Sequence, residues 1–403
     1  MVSEMGQTLN EGEVIVMIQT GFGFISFVLF FTAVVLVVIN KYQFKFYKFL
    51  PPVIMIYIGA MVMYTCGVWE MNESVTNTRA AFINNLVPVM IFLMCLRCNL
   101  KEIVKLGPRL TLTFFSATFS IAVGFVLSFF IFRGFFESDT HLAFSAMAAG
   151  WMGGTQNFLA VKSALGVSDE SMTYTLLMGN INYSLLIMFL VAIGGFAAKF
   201  NTWTKTDIDP IEKICRKLGE NTKTEEKTTY LDLMLILGAS MMVSTISQYV
   251  STILPKIGFI DASIWKILIA TFIGIGFALT NVGKLRGIDE ISNISLYLIL
   301  ILTASNVNLA SLINAPVYIL AGFVILLIHF TVMVIMAKAF KLDLYTCGIA
   351  SIANVGGVAS APIIAATYDK NLVSISVLMS LLGDLSGTFI ALGMAQMLIG
   401  IIG

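Results

Sequence analysis

A chain of 403 residues that is 58% hydrophobic and only 12% charged lies outside the soluble range, where roughly a quarter of residues carry charge. It reads as a polytopic membrane protein. A net charge of +1 gives no ground for a nucleic-acid partner.

Apolar runs of spanning length, about 20 residues for a core of roughly 30 Å, occur at 14–40, 51–69, 81–96, 110–132, 142–165 and 171–198. The first run is too long for a signal-peptide core. Glu4, Glu11 and Glu13 precede it without a Lys or Arg, so a retained membrane helix with its N-terminus outside is expected. The one long polar interval, 201–230, then divides the chain, and six further runs follow at 231–254, 262–282, 290–305, 315–337, 344–367 and 371–402.

The two halves resemble each other. In the first, GWMGGTQNFLAV (Gly150 to Val161) is followed by GNINYS (Gly179 to Ser184). In the second, ANVGGVASAP (Ala353 to Pro362) is followed by GDLSGT (Gly383 to Thr388). Gly154 lies 26 residues before Asn180 and Gly357 lies 27 before Asp384. Asn84 and Asn293 each lie 16 residues before a leucine, Leu100 and Leu309, that follows an asparagine. An internal repeat covering most of each half is expected.

Charge decides the threading. If 142–165 and 344–367 enter and return on one side, each half has five crossings and nineteen of the 24 basic residues fall on the inner face. Arg79, Arg133, Lys162, Lys256 and Lys266 remain outside. That satisfies the positive-inside rule and makes the repeats inverted, with 201–230 a cytoplasmic linker. The expected fold is an all-α polytopic membrane protein of two inverted five-helix repeats, 1–200 and 231–403, each with a glycine-rich re-entrant or broken helix. This is the general plan of secondary transporters.

Candidate site residues follow from that plan. Gly-Gly pairs, Gly153–Gly154 and Gly356–Gly357, permit unwound backbone and close approach to a ligand. Such backbone at membrane depth must be buried in protein or line a wet cavity. Asp384 is an acid inside a long apolar segment, which marks function by default, and Asn180 is its counterpart in the repeat. No Lys or Arg is expected at comparable depth, Arg97 falling in an inner loop, so Asp384 is expected to meet a cation or a proton. Thr155, Gln156, Asn157, Asn182, Asn354, Ser360, Ser386 and Thr388 supply hard neutral oxygens around it, the ligand type that favours Na⁺ over H⁺ coupling. A bound Na⁺ is the one cofactor-like species expected, with Asp384 as its ligand.

At these residues, from Met147 to Gly166 and from Ser351 to Gly387, the chain resembles the YjcL-like family of bacterial membrane proteins. More distantly it is similar to the cation:proton antiporter and anion transporter superfamily, which includes glutamate:sodium and citrate:sodium symporters. The resemblance implies a scaffold (14–69 and 231–282) and a mobile transport domain (81–198 and 290–402) that moves as an elevator, often within a homodimer in the cell membrane. It also implies a small organic solute as partner: an organic anion, an amino acid or a short peptide. The sequence departs from the expected pattern in carrying Asn180 where an Asp is usual.

Gly21, Gly23, Gly274 and Gly276 read as helix-packing glycines. His329 inside a span and His141 at a membrane edge read as packing residues. Cys95 and Cys98 form a C-x-x-C without a second pair or a nearby His to complete a metal site. Asp369 and Asp384 resemble the paired aspartates of an intramembrane protease, but Leu381 stands where that signature needs glycine, so no enzyme is expected. The alternative to a carrier is a channel whose filter is built from the paired glycine loops. A titratable Asp on one side and Asn on the other favours the carrier.

Overall fold

The computed structural model describes residues 18–42, 52–97, 103–206, 228–257, 260–308, 315–369 and 372–402. Among these, extended structure is limited to two isolated bridges. The helices in chain order are α1 (Gly21–Tyr42), α2 (Pro52–Thr65), α3 (Glu73–Leu96), α4 (Gly107–Phe132), α5 (Thr140–Leu165), α6 (Asp169–Ile193) and α7 (Ala197–Thr204). They continue with α8 (Tyr230–Ile253), α9 (Ala262–Ala278), α10 (Ile288–Ala304), α11 (Ala315–Phe340), α12 (Leu344–Val355), α13 (Gly357–Tyr368) and α14 (Val373–Ile402). Most of the 201–230 interval lies outside the described residues, as do Cys98, Leu100 and Leu309.

Seven of the described helices are long and apolar enough to cross a membrane: α1, α3, α4, α6, α8, α11 and α14. Large apolar side chains face outward on several of them, including Phe22, Phe30 and Val37 on α1 and Met234, Met242 and Tyr249 on α8. Such faces are costly in water and at home in hydrocarbon. Helix starts are set by short polar side chains that accept hydrogen bonds from otherwise orphaned backbone N–H groups. Ser168 caps α6, Asp261 caps α9, Asp343 caps α12, and Thr229 with Asp232 forms a capping box on α8.

The two glycine-rich segments are broken helices. Within α5, Gly153 and Gly154 leave helical geometry, Gly154 at φ 80° and ψ 174°. That region is open essentially to glycine alone. In the second half the break separates α12 from α13, with Gly357 at φ 58°. The 12-residue helices on either side each reach about 18 Å at 1.5 Å per residue, short of a bilayer core.

The chain packs as two compact units, the described residues of 1–83 with 300–311, and those of 84–299 with 312–403. In the first, Trp69 is buried against Phe24 and its indole N–H donates to the Ser305 carbonyl at 2.8 Å. Arg79 donates to the carbonyl of Leu302 and to Asn306 Oδ1, so two side chains close the carbonyl end of α10.

In the second unit α5 lies along α14, while α4 and α6 both pack on α11. An aromatic core of Phe125, Phe144 and Trp151 holds α4 to the first arm of α5 in edge-to-face contacts at 5.4–5.9 Å. A separate apolar cluster joins Phe92, Leu93 and Leu96 of α3 to Ile236 and Val243 of α8 and to Ile288 and Ile291 of α10. The end of α3 and the start of α10 are thereby fixed side by side.

Candidate functional site

The break in α5 is pressed onto α14. A Cβ at Gly153 would stand 2.5 Å from the Gly383 carbonyl oxygen, and one at Gly387 would stand 2.9 Å from the Gly153 Cα. Glycine at 153 and 387 is therefore a condition of the contact. Asn157, one turn past the break, locks it. Its Oδ1 accepts from the Thr388 backbone N–H at 3.0 Å and from the Thr388 hydroxyl, and its Nδ2 donates to the carbonyls of Gly153 and of Asp384. One buried amide thus bonds backbone groups on both helices, α5 and α14, where unpaired polar groups at membrane depth would each cost several kcal/mol, about the value for transfer to hydrocarbon.

Asp384 projects from α14 at this place. It is 5% exposed, and a Cβ on Gly154 would lie 3.8 Å from its Oδ1, so carboxylate and unwound backbone adjoin. The expectation that no basic residue reaches it is corrected by the structure. Arg97, immediately after α3, donates from Nη2 to Asp384 Oδ2, and from Nη1 to Asp289 Oδ1 at 3.1 Å. The two bridges are unequal, because the Asp384 side chain is 6% exposed and that of Asp289 is 66% exposed. A buried carboxylate stripped of its partner costs about 3–5 kcal/mol, whereas an exposed bridge contributes about 0–1 kcal/mol.

One turn beyond Asp289 on α10, buried Ser292 accepts from Gln156 Nε2 at 2.9 Å. The Gln156 carbonyl oxygen is buried and has no hydrogen-bond partner among the described residues. An unpaired buried acceptor of that kind costs about 1–3 kcal/mol, which makes it a ready ligand for a cation. Asp384, Gly153, Gly154, Gln156, Asn157 and Thr388 are accordingly brought together, with Thr155 half-buried beside them.

The remaining expected residues lie on other contacts. Asn180 is half-buried and donates to the Leu176 carbonyl of its own helix. Asn182 sits between α6 and α11, donating to the carbonyls of Met178 and Ile319, and its Oδ1 is buried without a partner among the described residues. Asn354 joins α12 to α4 by accepting from the Thr118 hydroxyl at 2.8 Å. At the second break, Ser360 bonds the Tyr183 hydroxyl of α6, and a Cβ on Gly356 would stand 3.0 Å from the Tyr183 ring. Ser386 spends its hydroxyl on the Leu382 carbonyl of its own helix. His329 is fully buried between Ser120 and Ser351, as befits a packing residue.

Arg97, Asp289, Ser292 and Tyr183 escape sequence reasoning. The first two are charges at span ends, and the available signal is that each terminates or opens an apolar run that also carries the repeat-matched asparagine, Asn84 or Asn293.

Fold and site together define a polytopic helical membrane protein with a buried, charge-paired polar centre at a helix break. The chain belongs to the family described as "Protein of unknown function (DUF819)", whose profile matches residues 26–401. It is similar to the "Uncharacterized membrane protein YjcL" of Bacillus subtilis (strain 168), at 23% identity over 364 residues that cover 86% of this chain and 90% of the relative. The expected kinship with a YjcL-like family holds on both comparisons.

Proposed function

We propose that this protein is a secondary transporter of the cell membrane, moving a small organic solute coupled to a cation gradient, with Na⁺ preferred to H⁺. The observation that carries this reading is the place of Asp384, a buried carboxylate against an unwound helix and held by an arginine with a second, exposed partner. A guanidinium does not release its proton in proteins, so it leaves Asp384 only when another positive charge replaces it there. A cation at Asp384, completed by the Gln156 side-chain oxygen and by the unwound backbone at Gly154, releases Arg97 toward Asp289. The guanidinium then stands ready for an anionic group of the solute, a carboxylate above all, which it receives in bidentate fashion. Binding of cation and of solute thus depend on one another.

In this reading the two broken helices belong to two inverted repeats within a superfamily of cation-coupled carriers. The scaffold and transport groups move as an elevator in a homodimer, with the N-terminus outside and 201–230 in the cytoplasm. The division of the 24 basic residues and the short half-helices support it. The test is a thermal-shift screen of the purified protein against carboxylates and amino acids with and without Na⁺, followed by uptake into proteoliposomes. Saturable uptake that needs a Na⁺ gradient is expected. Non-saturable flux that follows the solute gradient alone would make the protein a channel.

A further inference from the structure

We infer that the end of the protein carrying the α11 C-terminus holds a structural anionic phospholipid, its phosphate in a basic recess and one acyl chain in an adjoining apolar slot. The slot has a volume of about 200 Å³. Leu190 and Ile193 of α6, Phe200 of α7, Val334 and Ala337 of α11 and Leu344 of α12 are among its walls, and among the described residues no charged side chain lines it. The recess has a volume of about 560 Å³ and is lined by Pro108, Arg109, Leu112, Lys205, Phe340 and Lys341, with three cations among six side chains.

The two cavities are neighbours by construction. Ala337 lines the slot and Phe340, three residues on and on the same face of α11, lines the recess together with Lys341, the residue that follows the helix. Lys205 and Lys341 are also the two non-glycine residues with positive φ among those described, at 58° and 54°. Left-handed backbone at these two lysines, the cap of α7 and the residue after α11, turns the chain sharply at the two helix ends that meet at the recess. Arg109 ties the recess together by donating to the Lys341 carbonyl and the Thr206 hydroxyl, both at 2.8 Å. Asp343, close by in sequence, is 4% exposed and committed to capping α12.

Exposed Phe196, Trp203 and Phe340 surround these openings, as aromatic side chains do at the headgroup level. Lys338 adds its ammonium to the Trp203 carbonyl and lies 4.6 Å over the Trp203 ring. A phosphate alone would account for the recess but not for the slot beside it. A neutral lipid would account for the slot but not for three cations. A phosphodiester with acyl chains satisfies both, and basic pockets between helices are the ordinary place for anionic headgroups.

The experiment is native mass spectrometry of the full chain, delipidated and offered equal phosphatidylglycerol and phosphatidylcholine of matched chains, with and without inorganic phosphate. Phosphatidylglycerol adducts are expected to exceed phosphatidylcholine by about tenfold and to fall to near parity in Lys205→Gln/Lys341→Gln, while Lys205→Arg/Lys341→Arg retains the preference. Val334→Trp, which fills the slot without touching charge, should lower phosphatidylglycerol retention severalfold, and phosphate should not displace the lipid. Equal binding of the two lipids by the unaltered protein overturns the inference. So does displacement by phosphate together with full retention in Val334→Trp, which would make the recess a site for a free anion. The comparison of two lipids on the unaltered chain decides the matter even where a variant misfolds.

Discussion

The guanidinium of Arg97 closes on the carboxylate of Asp384, joining the end of α3 to the interior of α14 across 287 residues of sequence. The pair neutralises a charge that would otherwise stand alone in a nearly water-free site, and its second arm to Asp289 offers the arginine somewhere to go.

Removing one member should therefore cost more than removing both. Arg97→Gln leaves Asp384 buried and unpaired, a loss of about 3–5 kcal/mol, while Arg97→Gln/Asp384→Asn should recover much of it. Thermal denaturation in detergent gives the double-mutant cycle. Additive losses would show that the two side chains do not act as a pair.

Transport should depend on the same carboxylate. Asp384→Asn is expected to abolish gradient-driven uptake in protein that remains folded, because a neutral amide takes up no proton and lacks the negative charge that attracts Na⁺ and holds Arg97 at this place. Normal uptake by this variant at every Na⁺ concentration and pH tested would make the acid structural. Asn180→Asp, by contrast, should change cation dependence without simply inactivating.

Glycine should be required where backbone meets backbone. At Gly387 an added methyl meets the Gly153 backbone at 2.9–3.0 Å, and at Gly154 it meets a φ of 80°, so alanine at either should cost about 1–3 kcal/mol. Alanine at Gly276 or Gly393, where nothing lies within 4 Å, should be neutral or slightly stabilising in the same melting assay.

Asn157→Ala should weaken the seam between α5 and α14 as severely as a glycine change. It strips the Thr388 N–H of its acceptor and the Gly153 carbonyl of a donor, at about 1–3 kcal/mol for each buried group left unpaired. Hydrogen exchange along 383–392 measures it, and unchanged protection there would assign the stability of the seam to packing alone.

Threading is open to labelling. In a cysteine-free background, Lys256→Cys should react with an impermeant reagent from outside and Lys341→Cys only after permeabilisation, both positions being exposed. Reaction of position 341 from outside would end the five-crossing arrangement.

Hydrophobicity and its interruptions were enough to read the membrane class, the helices and the two breaks from the sequence. A run of apolar residues must bury its backbone polar groups in a helix wherever it meets lipid, so 231–254 becomes α8 and 315–337 becomes α11 with ends displaced by few residues. Gly-Gly inside such a run has few other uses, and Gly154 at φ 80° and Gly357 at φ 58° are those uses. Asp384 was legible for a related reason, since an acid in hydrocarbon must be answered by something.

What answers it was decided only by tertiary structure. Arg97 looks like an inner-loop charge, and Asp289 and Ser292 look like the polar start of another helix. They become part of the site because the cluster of Phe92, Leu93 and Leu96 with Ile288 and Ile291 sets the end of α3 beside the start of α10. The likeness of the two halves points to Asn180 as the counterpart of Asp384, and Ser360 and Asn354 are expected as oxygen ligands around it, yet each of the three is bonded elsewhere. Burial and periodicity are local properties that a sequence carries residue by residue. Which charge meets which is settled by long-range packing, and a pairing that spans 287 positions leaves no local trace.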